Sequence, residues 1–244
     1  MIGDISTMSL NNESVVVVAG AGGGAGGAVV RALTAAGATV IGIDTTAEHA
    51  ERAAAVAVGP GRAVPAVVDL LDFEATKAFA EGVVKDHGRV DGLIHLVGGW
   101  RGSKSFAETG LEDWDLLHKL LIQTTQHTSL AFAEPLAAAG DGRFVLVSAT
   151  AAAAPTAGNA AYGAAKAAAE AWTLALADSF GQGGDRAAAV VLVVKALLTD
   201  SMREAKPEGA FPGYTHVDDL AAAIVKVWDS PAAEVNGTRV RLAP

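Results

Sequence analysis

Short apolar runs alternate with longer segments whose apolar residues recur at helical spacing, and this alternation continues from residue 14 almost to residue 244. Valine dominates the short runs and few polar residues interrupt them, which is typical of parallel strands covered on both faces. The predicted strands are 14–19, 39–43, 63–68, 90–97, 143–148, 188–194 and 239–243. The predicted helices are 24–36, 46–57, 72–87, 110–139, 159–180 and 216–229.

This order of elements predicts an α/β fold of the Rossmann type, with a doubly wound, mostly parallel, seven-stranded sheet and helices on both faces. The sequence contains no internal repeat and no linker, and we interpret the glycine- and proline-containing segment 205–213 as a loop. We therefore expect one dinucleotide-binding catalytic domain over residues 14–244, preceded by a flexible segment over residues 1–13.

The composition argues against several classes of protein. A net charge of −9 is unfavourable for binding nucleic acid or an anionic membrane, so we expect neither partner. The chain has no cysteine and its six histidines form no close ligand pair, so we expect no metal site. The first 13 residues lack the pattern of a signal peptide, and a cytoplasmic location is the default prediction.

A glycine-rich turn separates the first predicted strand from the first predicted helix. Gly20, Gly24 and Gly26, with Ala25 among them, lie where positive φ angles and close backbone approach are needed to bind a pyrophosphate. The alternative is a flexible low-complexity turn, since the run has enough glycines to match in several registers. Its position directly after the first strand favours nucleotide binding.

Asp44 ends the second predicted strand, 18 residues beyond Gly26. A carboxylate at this place accepts hydrogen bonds from the adenosine ribose and repels a 2′-phosphate. No lysine or arginine lies within the glycine turn or beside Asp44 in the sequence. We therefore predict NAD rather than NADP, the alternative being that Asp44 only caps the following helix.

Tyr162 and Lys166 follow the fifth predicted strand at a spacing of four residues. Together with the G-x3-G-x-G spacing of the glycine turn, they resemble the short-chain dehydrogenase/reductase family over residues 14–243. Further cofactor contacts are implied by this resemblance. They are Asp69, Leu70, His95, Gly98, Tyr162, Lys166 and Leu198.

Residues at i and i+4 of a helix share a face, so Lys166 is expected beside Tyr162, where an ammonium group favours the phenolate. The resemblance implies that Tyr162 exchanges a proton with the substrate oxygen while a hydride passes to or from the nicotinamide. It also implies that Lys166 binds the nicotinamide ribose. The alternative is that both side chains merely belong to a packed helix.

Four positions depart from the family pattern. Ala149 occupies the position of the family's serine, thirteen residues before Tyr162, and Leu121 that of its helix asparagine. Lys195-Ala196 replaces Pro-Gly after the sixth strand, and the residues 95–98 replace Asn-Asn-Ala-Gly. Losing one donor to a reacting oxygen lowers kcat by about 10²–10³.

Nearby polar residues are candidates for replacing the missing hydroxyl. Ser148 and Thr150 flank Ala149, but the alternation of a strand directs both away from the side that Ala149 faces. Thr150 is the first candidate if the strand end twists. Others are His95, Lys195 and Thr199. For Lys195 two interpretations remain, a contact to an acidic substrate or a solvated lysine at a strand end.

The leading hypothesis is an NAD(H)-dependent oxidoreductase that interconverts a secondary alcohol and a ketone, with a small-molecule carbonyl or alcohol as substrate. The alternative is a dinucleotide-binding protein whose catalysis has decayed, acting as a sensor or partner subunit. Small residues cover much of the helix at 159–180, which suits close helix contact, and the resembling family uses this helix in dimers and tetramers. We expect a homo-oligomer.

Overall fold

The computed structural model describes residues 9–184 and 186–242. The strands in chain order are β1 (Val15–Ala19), β2 (Thr39–Asp44), β3 (Arg62–Val67), β4 (Gly92–His95), β5 (Gly142–Ala149), β6 (Ala187–Val194), β7 (Leu197–Leu198), β8 (Thr215–His216) and β9 (Arg239–Arg241). The helices are α1 (Gly26–Ala35), α2 (Ala47–Ala54), α3 (Phe73–His87), α4 (Leu111–Leu117), α5 (Thr124–Ala138), α6 (Ala160–Gln182), α7 (Asp200–Ala205), α8 (Val217–Lys226) and α9 (Ala232–Val235).

Seven strands form one sheet in the order β3-β2-β1-β4-β5-β6-β9, and every neighbouring pair in it is parallel. β7 and β8 pair with each other outside this sheet. The predicted Rossmann-type architecture is thereby confirmed. The strand order reverses between β1 and β4, which is the point at which open α/β sheets bind ligands.

Two apolar layers cover the sheet, because successive side chains of a strand point to opposite faces. On β1, Val16 and Val18 pack with residues of α1 and α8, whereas Val15 and Val17 pack with residues of α3, α5 and α6. β1 is buried along its whole length. Burial on both faces explains the unbroken valine run that the sequence shows.

β4 is shorter than the predicted strand 90–97. At its start, the carboxylate of Asp91 accepts a hydrogen bond from the backbone N–H of Val15, at 2.8 Å. At its end, the chain leaves the sheet after Leu96 donates to the carbonyl of Ala19, at 2.9 Å. The segment 96–99 thus turns away from the sheet and leaves a gap at the carboxyl end of β1 and β4.

The predicted helix 110–139 is divided by one wide, π-type turn at His118–Gln123, between α4 and α5. Such a turn frees backbone carbonyls from their usual partners. Here the hydroxyl of Thr124 donates to the carbonyl of Leu120, at 2.6 Å. The Thr124 side chain thus provides a partner for one carbonyl of the wide turn.

Residues 1–8, most of the segment predicted as flexible, lie outside the described residues. Within the remainder, Leu10 is buried and joins the core beneath α1. Asn11 and Ser14 exchange hydrogen bonds that lead the chain into β1.

Two features are absent from the described residues. None of the helices within residues 9–184 and 186–242 is both long and apolar enough to cross a membrane. The same residues contain no cluster of three or more histidine or acidic side chains able to hold a metal ion.

The first turn of α1 provides a test of the fold. A Cβ added to Gly26 would lie 1.8 Å from the carbonyl oxygen of Ala21, whereas one added to Gly27 would lie 3.8 Å from its nearest neighbour, Val56. We expect Gly26→Ala to lower the free energy of unfolding by about 2–3 kcal/mol or more, since backbone must move. Gly27→Ala, the matched control, is expected to raise it by up to about 1 kcal/mol. Equal urea midpoints for the two variants would contradict this packing.

Candidate functional site

A cavity of about 820 Å³ opens at the carboxyl edge of the sheet, at the reversal of strand order. Its wall includes the glycine turn after β1, the segment after β4, the ends of β5 and β6, and one face of α6. The volume falls in the range of small-molecule and cofactor sites. The cavity is therefore the candidate functional site.

The glycine turn provides a cradle of bare backbone in this wall. Gly20 has a φ of +80°, and a Cβ added there would lie 2.9 Å from the backbone nitrogen of Val97. Gly24 faces more open space, where the nearest atom to an added Cβ is a methyl carbon of Thr199 at 3.5 Å. Gly24 and Ala25 line the cavity and Gly26 begins α1. The predicted phosphate-binding residues thus come together in a form that fits a dinucleotide diphosphate.

Asp44 lies beside this turn, at the end of β2. Its carboxylate accepts hydrogen bonds from the backbone N–H of Gly22, at 2.9 Å, and of Thr45, at 2.8 Å. The side-chain cap of α2 is Thr46, which accepts from the N–H of His49. Asp44 therefore fixes the glycine turn instead of capping the helix.

An arginine side chain that is distant from the turn in the sequence also contacts Gly22. The guanidinium group of Arg52 in α2 donates to the carbonyl of Gly22, at 3.3 Å, and lies 3.8 Å from the carboxylate of Glu48. Arg52 is eight residues beyond Asp44, so only the rotation of α2 brings it to the turn. This is a residue of the site that sequence reasoning missed.

Tyr162 and Lys166 both line the cavity from α6. The ammonium group of Lys166 donates to the backbone carbonyl of Val147 in β5, at 2.8 Å, and lies 6.0 Å from the centre of the Tyr162 ring. Lys166 thereby ties α6 to the strand end. The two side chains share one helix face, as their spacing predicts.

Burial controls the protonation of this pair. It raises the pKa of Tyr162 to about 12, and it lowers the pKa of Lys166 to about 8, against the opposing influence of Glu170. The expected effect of the ammonium on the phenol is therefore smaller than the effect of desolvation. In the protein by itself Tyr162 is a phenol, the form that donates a proton.

Four further residues expected at the cofactor site lie outside the cavity wall. Asp69 is exposed and its carboxylate accepts from the N–H of Leu71, at 2.9 Å. Leu70 and Leu198 are buried. His95 points from β4 towards α5, where its ring contacts the hydroxyl groups of Thr124, at 3.2 Å, and Thr128, at 3.1 Å.

Comparison with known protein families places the chain in one of them. The model of the family described as short chain dehydrogenase matches residues 14–208, which is most of the chain. The chain belongs to the short chain dehydrogenase family. No curated protein sequence matches it.

Solved structures share the fold of this short chain dehydrogenase. An NAD+-bound xylitol dehydrogenase is 20% identical with a TM-score of 0.83, over 97% of this chain and 99% of the other. A short-chain type dehydrogenase/reductase from Mycobacterium ulcerans is 24% identical with a TM-score of 0.81, over 96% and 90%. At these identities the likeness concerns the fold alone.

The end of β5 differs from the sequence expectation in which side chains reach the cavity. Ser148 and Thr150 belong to the wall of this short chain dehydrogenase, whereas Ala149 is buried outside it. The hydroxyl of Ser148 is buried and has no hydrogen-bond partner among the described residues. A buried hydroxyl without a hydrogen-bond partner costs about 1–3 kcal/mol.

Leu121, at the position where the family resemblance implies an asparagine, has an apolar side chain. It is buried in a cluster with Leu117, Ala161 and Ala165, against which Tyr162 packs. A Cβ added to Gly98 in the cavity wall would lie 3.3 Å from Leu121. The floor below Tyr162 is therefore apolar.

The mouth of the cavity is formed by segments after β4 and β6. Trp100 is 63% exposed and lines the wall, together with Met202 and Tyr214. Lys195 also lines it, and its ammonium group donates to the carbonyl of Pro212, at 2.9 Å.

The burial of His95 generates a prediction about acid stability. Burial, aided by the nearby Lys166, lowers the pKa of His95 to about 3, against an ordinary value of 6.5. Below pH 6.5 His95 is protonated in the unfolded chain but stays neutral in the folded protein. The free energy of unfolding therefore falls as the pH falls from 6.5 towards 3.

We expect His95→Asn to remove this loss. Between pH 7 and pH 4.5 the wild type should lose about 2 kcal/mol more unfolding free energy than the variant. Urea unfolding at both pH values measures the difference, and the pH 7 pair corrects for any change in packing. If the two proteins lose the same amount, His95 is not held neutral by the fold.

Proposed function

We propose that the protein is an NAD(H)-dependent oxidoreductase that interconverts a secondary alcohol and a ketone. One observation carries the proposal: Tyr162 and Lys166 line the same cavity as Gly20 and Gly24. A proton-transfer group and a diphosphate cradle thus share one enclosed space, which is the requirement for coupled proton and hydride transfer.

The chain's residues divide between binding and proton transfer. The backbone N–H groups at Gly24 and Ala25, at the start of α1, bind the diphosphate, and Asp44 accepts the adenosine ribose hydroxyls. Lys166 binds the nicotinamide ribose, as the family resemblance implies. Bound NAD supplies the hydride acceptor, and NADH the donor.

Tyr162 donates its phenolic proton to the carbonyl oxygen during reduction and accepts it back during oxidation. The pKa of about 12 that burial gives the phenol keeps it in the donating form. Ser148 and Thr150, both in the cavity wall, are the hydroxyl groups available to hold the substrate oxygen. Ser148 has the stronger claim because its hydroxyl lacks a partner within the described chain.

A second candidate function is a dinucleotide-binding protein whose catalysis has decayed. The substitution of apolar residues at Ala149 and Leu121 favours it, because each removes a polar group that the resembling family uses near Tyr162. Such a protein binds NADH as a sensor or partner subunit and turns nothing over.

Tyr162→Phe distinguishes the two candidates. We expect the variant to lose about 10²–10⁴ in kcat on a panel of ketones and secondary alcohols, with NADH binding within about threefold of wild type. Tyr214→Phe is the matched control, since the chain has only two tyrosines and Tyr214 also lines the cavity. Equal background rates for wild type and Tyr162→Phe would identify the decayed protein.

The missing serine is examined in the same assay. Ala149→Ser is expected to raise kcat if the hydroxyl limits the reaction, and Ser148→Ala to lower it by about 10²–10³ if Ser148 already serves as donor. If Ala149→Ser raises kcat and Ser148→Ala does not lower it, the protein is an enzyme slowed by the absence of the serine hydroxyl at position 149.

We propose NAD as the cofactor rather than NADP. Support comes from Asp44, whose carboxylate lies at the glycine turn and repels a 2′-phosphate. Arg52 is an opposing influence, but it is shared with the Gly22 carbonyl and with Glu48. The fold neighbour described as NAD+-bound xylitol dehydrogenase is in keeping with this choice.

Asp44→Ala should therefore change the cofactor preference from NADH towards NADPH. We expect NADH binding to weaken about tenfold or more and NADPH binding to strengthen, because the carboxylate that repels a 2′-phosphate is removed while Arg52 remains beside the glycine turn. The double variant Asp44→Ala, Arg52→Ala should lose the gain for NADPH. Calorimetric titration of both cofactors measures this, and an unchanged ratio of dissociation constants would exclude Asp44 from the ribose site.

We also propose a homo-oligomer and a cytoplasmic location. The oligomer is supported by apolar exposure on α5 and α6, where Leu130 is 56% and Leu174 is 42% exposed and where Ala164 and Ala171 of α6 are also exposed. Small and apolar residues of this kind allow close contact between helices of two subunits. The family resemblance points to the same surface.

A further inference from the structure

We propose that the substrate of this oxidoreductase carries a carboxylate, and that Lys195 binds it. This rests on the proposed function, since it assigns the substrate class of the same cavity. The expected ligand is an oxo acid or hydroxy acid whose reacting carbon lies at Tyr162 and whose acid group lies at the cavity mouth.

The charges of the cavity wall are all of one sign. Lys166 and Lys195 are the charged residues of the wall, and no aspartate or glutamate belongs to it. The chain as a whole carries a net charge of −9 and would repel an anion elsewhere. A positive cavity in a negative protein directs anionic ligands to that cavity.

Only one of the two lysines is free to bind such a ligand at the mouth. Lys166 is buried and its ammonium group is bound to the carbonyl of Val147 at the inner end of the cavity. Lys195 is exposed and follows directly after Val194, the register partner of Ala149. It therefore extends from a strand end adjacent to the one that carries Ser148 and Thr150.

The surroundings of Lys195 leave its charge uncompensated. Its ammonium group has three N–H donors, of which one meets the carbonyl of Pro212, at 2.9 Å. Within residues 9–184 and 186–242, no carboxylate lies within 4.0 Å of it. Asp200, in the same part of the chain, is bound to His216, at 3.1 Å. A ligand carboxylate can thus use the remaining donors.

The rest of the mouth is apolar or aromatic. Trp100, Leu197, Met202 and Tyr214 line it. These side chains suit the carbon skeleton between the reacting carbon and the acid group, and they lower the local dielectric constant. A charge-assisted hydrogen bond is stronger in such surroundings.

The cofactor diphosphate is a second anion that Lys195 is able to bind. Binding of a substrate carboxylate and binding of the diphosphate have different measurable effects. The glycine turn and the start of α1 already supply N–H donors for a diphosphate, with Thr199 beside Gly24. Lys195 instead contacts Pro212, in the segment that leads to Tyr214 at the cavity mouth. A substrate contact changes the affinity for acids, whereas a cofactor contact changes the affinity for NADH.

The test uses straight-chain oxo acids of about four to eight carbons, each paired with its methyl ester. Binding of both probes to the protein with and without NADH is measured by calorimetry, and kcat/KM is measured where turnover occurs. Lys195→Met removes the charge, Lys195→Arg keeps it, and Lys206→Met removes an exposed charge outside the cavity wall. The acid-to-ester ratio cancels any loosening of the mouth, which affects both probes.

We expect wild type, Lys195→Arg and Lys206→Met to prefer at least one acid over its ester by about 10- to 100-fold, and Lys195→Met to show a ratio near one. A preference for acids that persists in Lys195→Met overturns the proposal. So does the absence of any acid preference in wild type, or a tenfold loss of NADH affinity as the main effect of Lys195→Met. Failure of the proposed function has a different signature: acids bind in a Lys195-dependent manner, but NADH does not bind.

Discussion

The site depends on the hydrogen bond that the buried Lys166 donates from its ammonium group to the carbonyl of Val147, at 2.8 Å. Burying an ammonium group is expensive unless it gains a partner, and a carbonyl at the end of β5 provides one. The bond holds α6 against the strand end and so positions Tyr162, one helical turn earlier, over the cavity. Glu170, one turn later, offsets part of the desolvation of Lys166 and is itself paired with Arg239 of β9, at 2.8 Å. A row of alternating charges thus links the sheet edge to the cavity.

Complete burial, with a smaller contribution from the charge of the same lysine, explains why His95 behaves as a structural residue. Both disfavour an imidazolium, so the ring remains neutral between Thr124 and Thr128. These two threonines belong to α5, just after the wide turn that ends at Gln123. A neutral histidine can donate to one hydroxyl and accept from the other. The network therefore joins β4 to the bent helix pair at the point where the family resemblance leads one to expect an asparagine.

Sequence reasoning predicted the sheet well because strand burial leaves a continuous signal. The valine runs of β1 and β6 are covered on both faces, so the absence of alternation and the β-branched composition both indicate a buried parallel strand. It was less accurate where tertiary contacts decide the outcome. Strand β4 ends early because the chain turns at Leu96, and a wide turn at His118–Gln123 interrupts the predicted helix. Local propensity contains no information on either.

The candidate site was predictable to the extent that it depends on spacing. Tyr162 and Lys166 meet because i and i+4 share a helix face. The choice of side chain at the end of β5 was not predictable, because alternation gives two faces and does not say which one borders the cavity. Arg52 could not be identified either, since its approach to Gly22 depends on the rotation of α2. The sequence predicted that Lys166 favours the Tyr162 phenolate, whereas burial raises the pKa of Tyr162 and favours the phenol. This was the largest difference, because a spacing of four residues does not indicate burial.

The apolar floor near Tyr162 and the cationic mouth at Lys195 have opposite effects on the activation free energy of the proposed reaction. In the proposed mechanism, Ala149 at the position where the family resemblance implies a serine removes stabilisation at the reacting oxygen, where it acts most strongly on kcat. Binding energy from a remote group can compensate, because it holds the reacting carbon in position and lowers the entropic cost of reaching the transition state. A carboxylate bound at Lys195 would be such a remote group, far from the proton transfer at Tyr162. On this view truncating the acid group of the substrate lowers kcat as well as raising KM, and a substrate without it is processed slowly even when it fills the cavity.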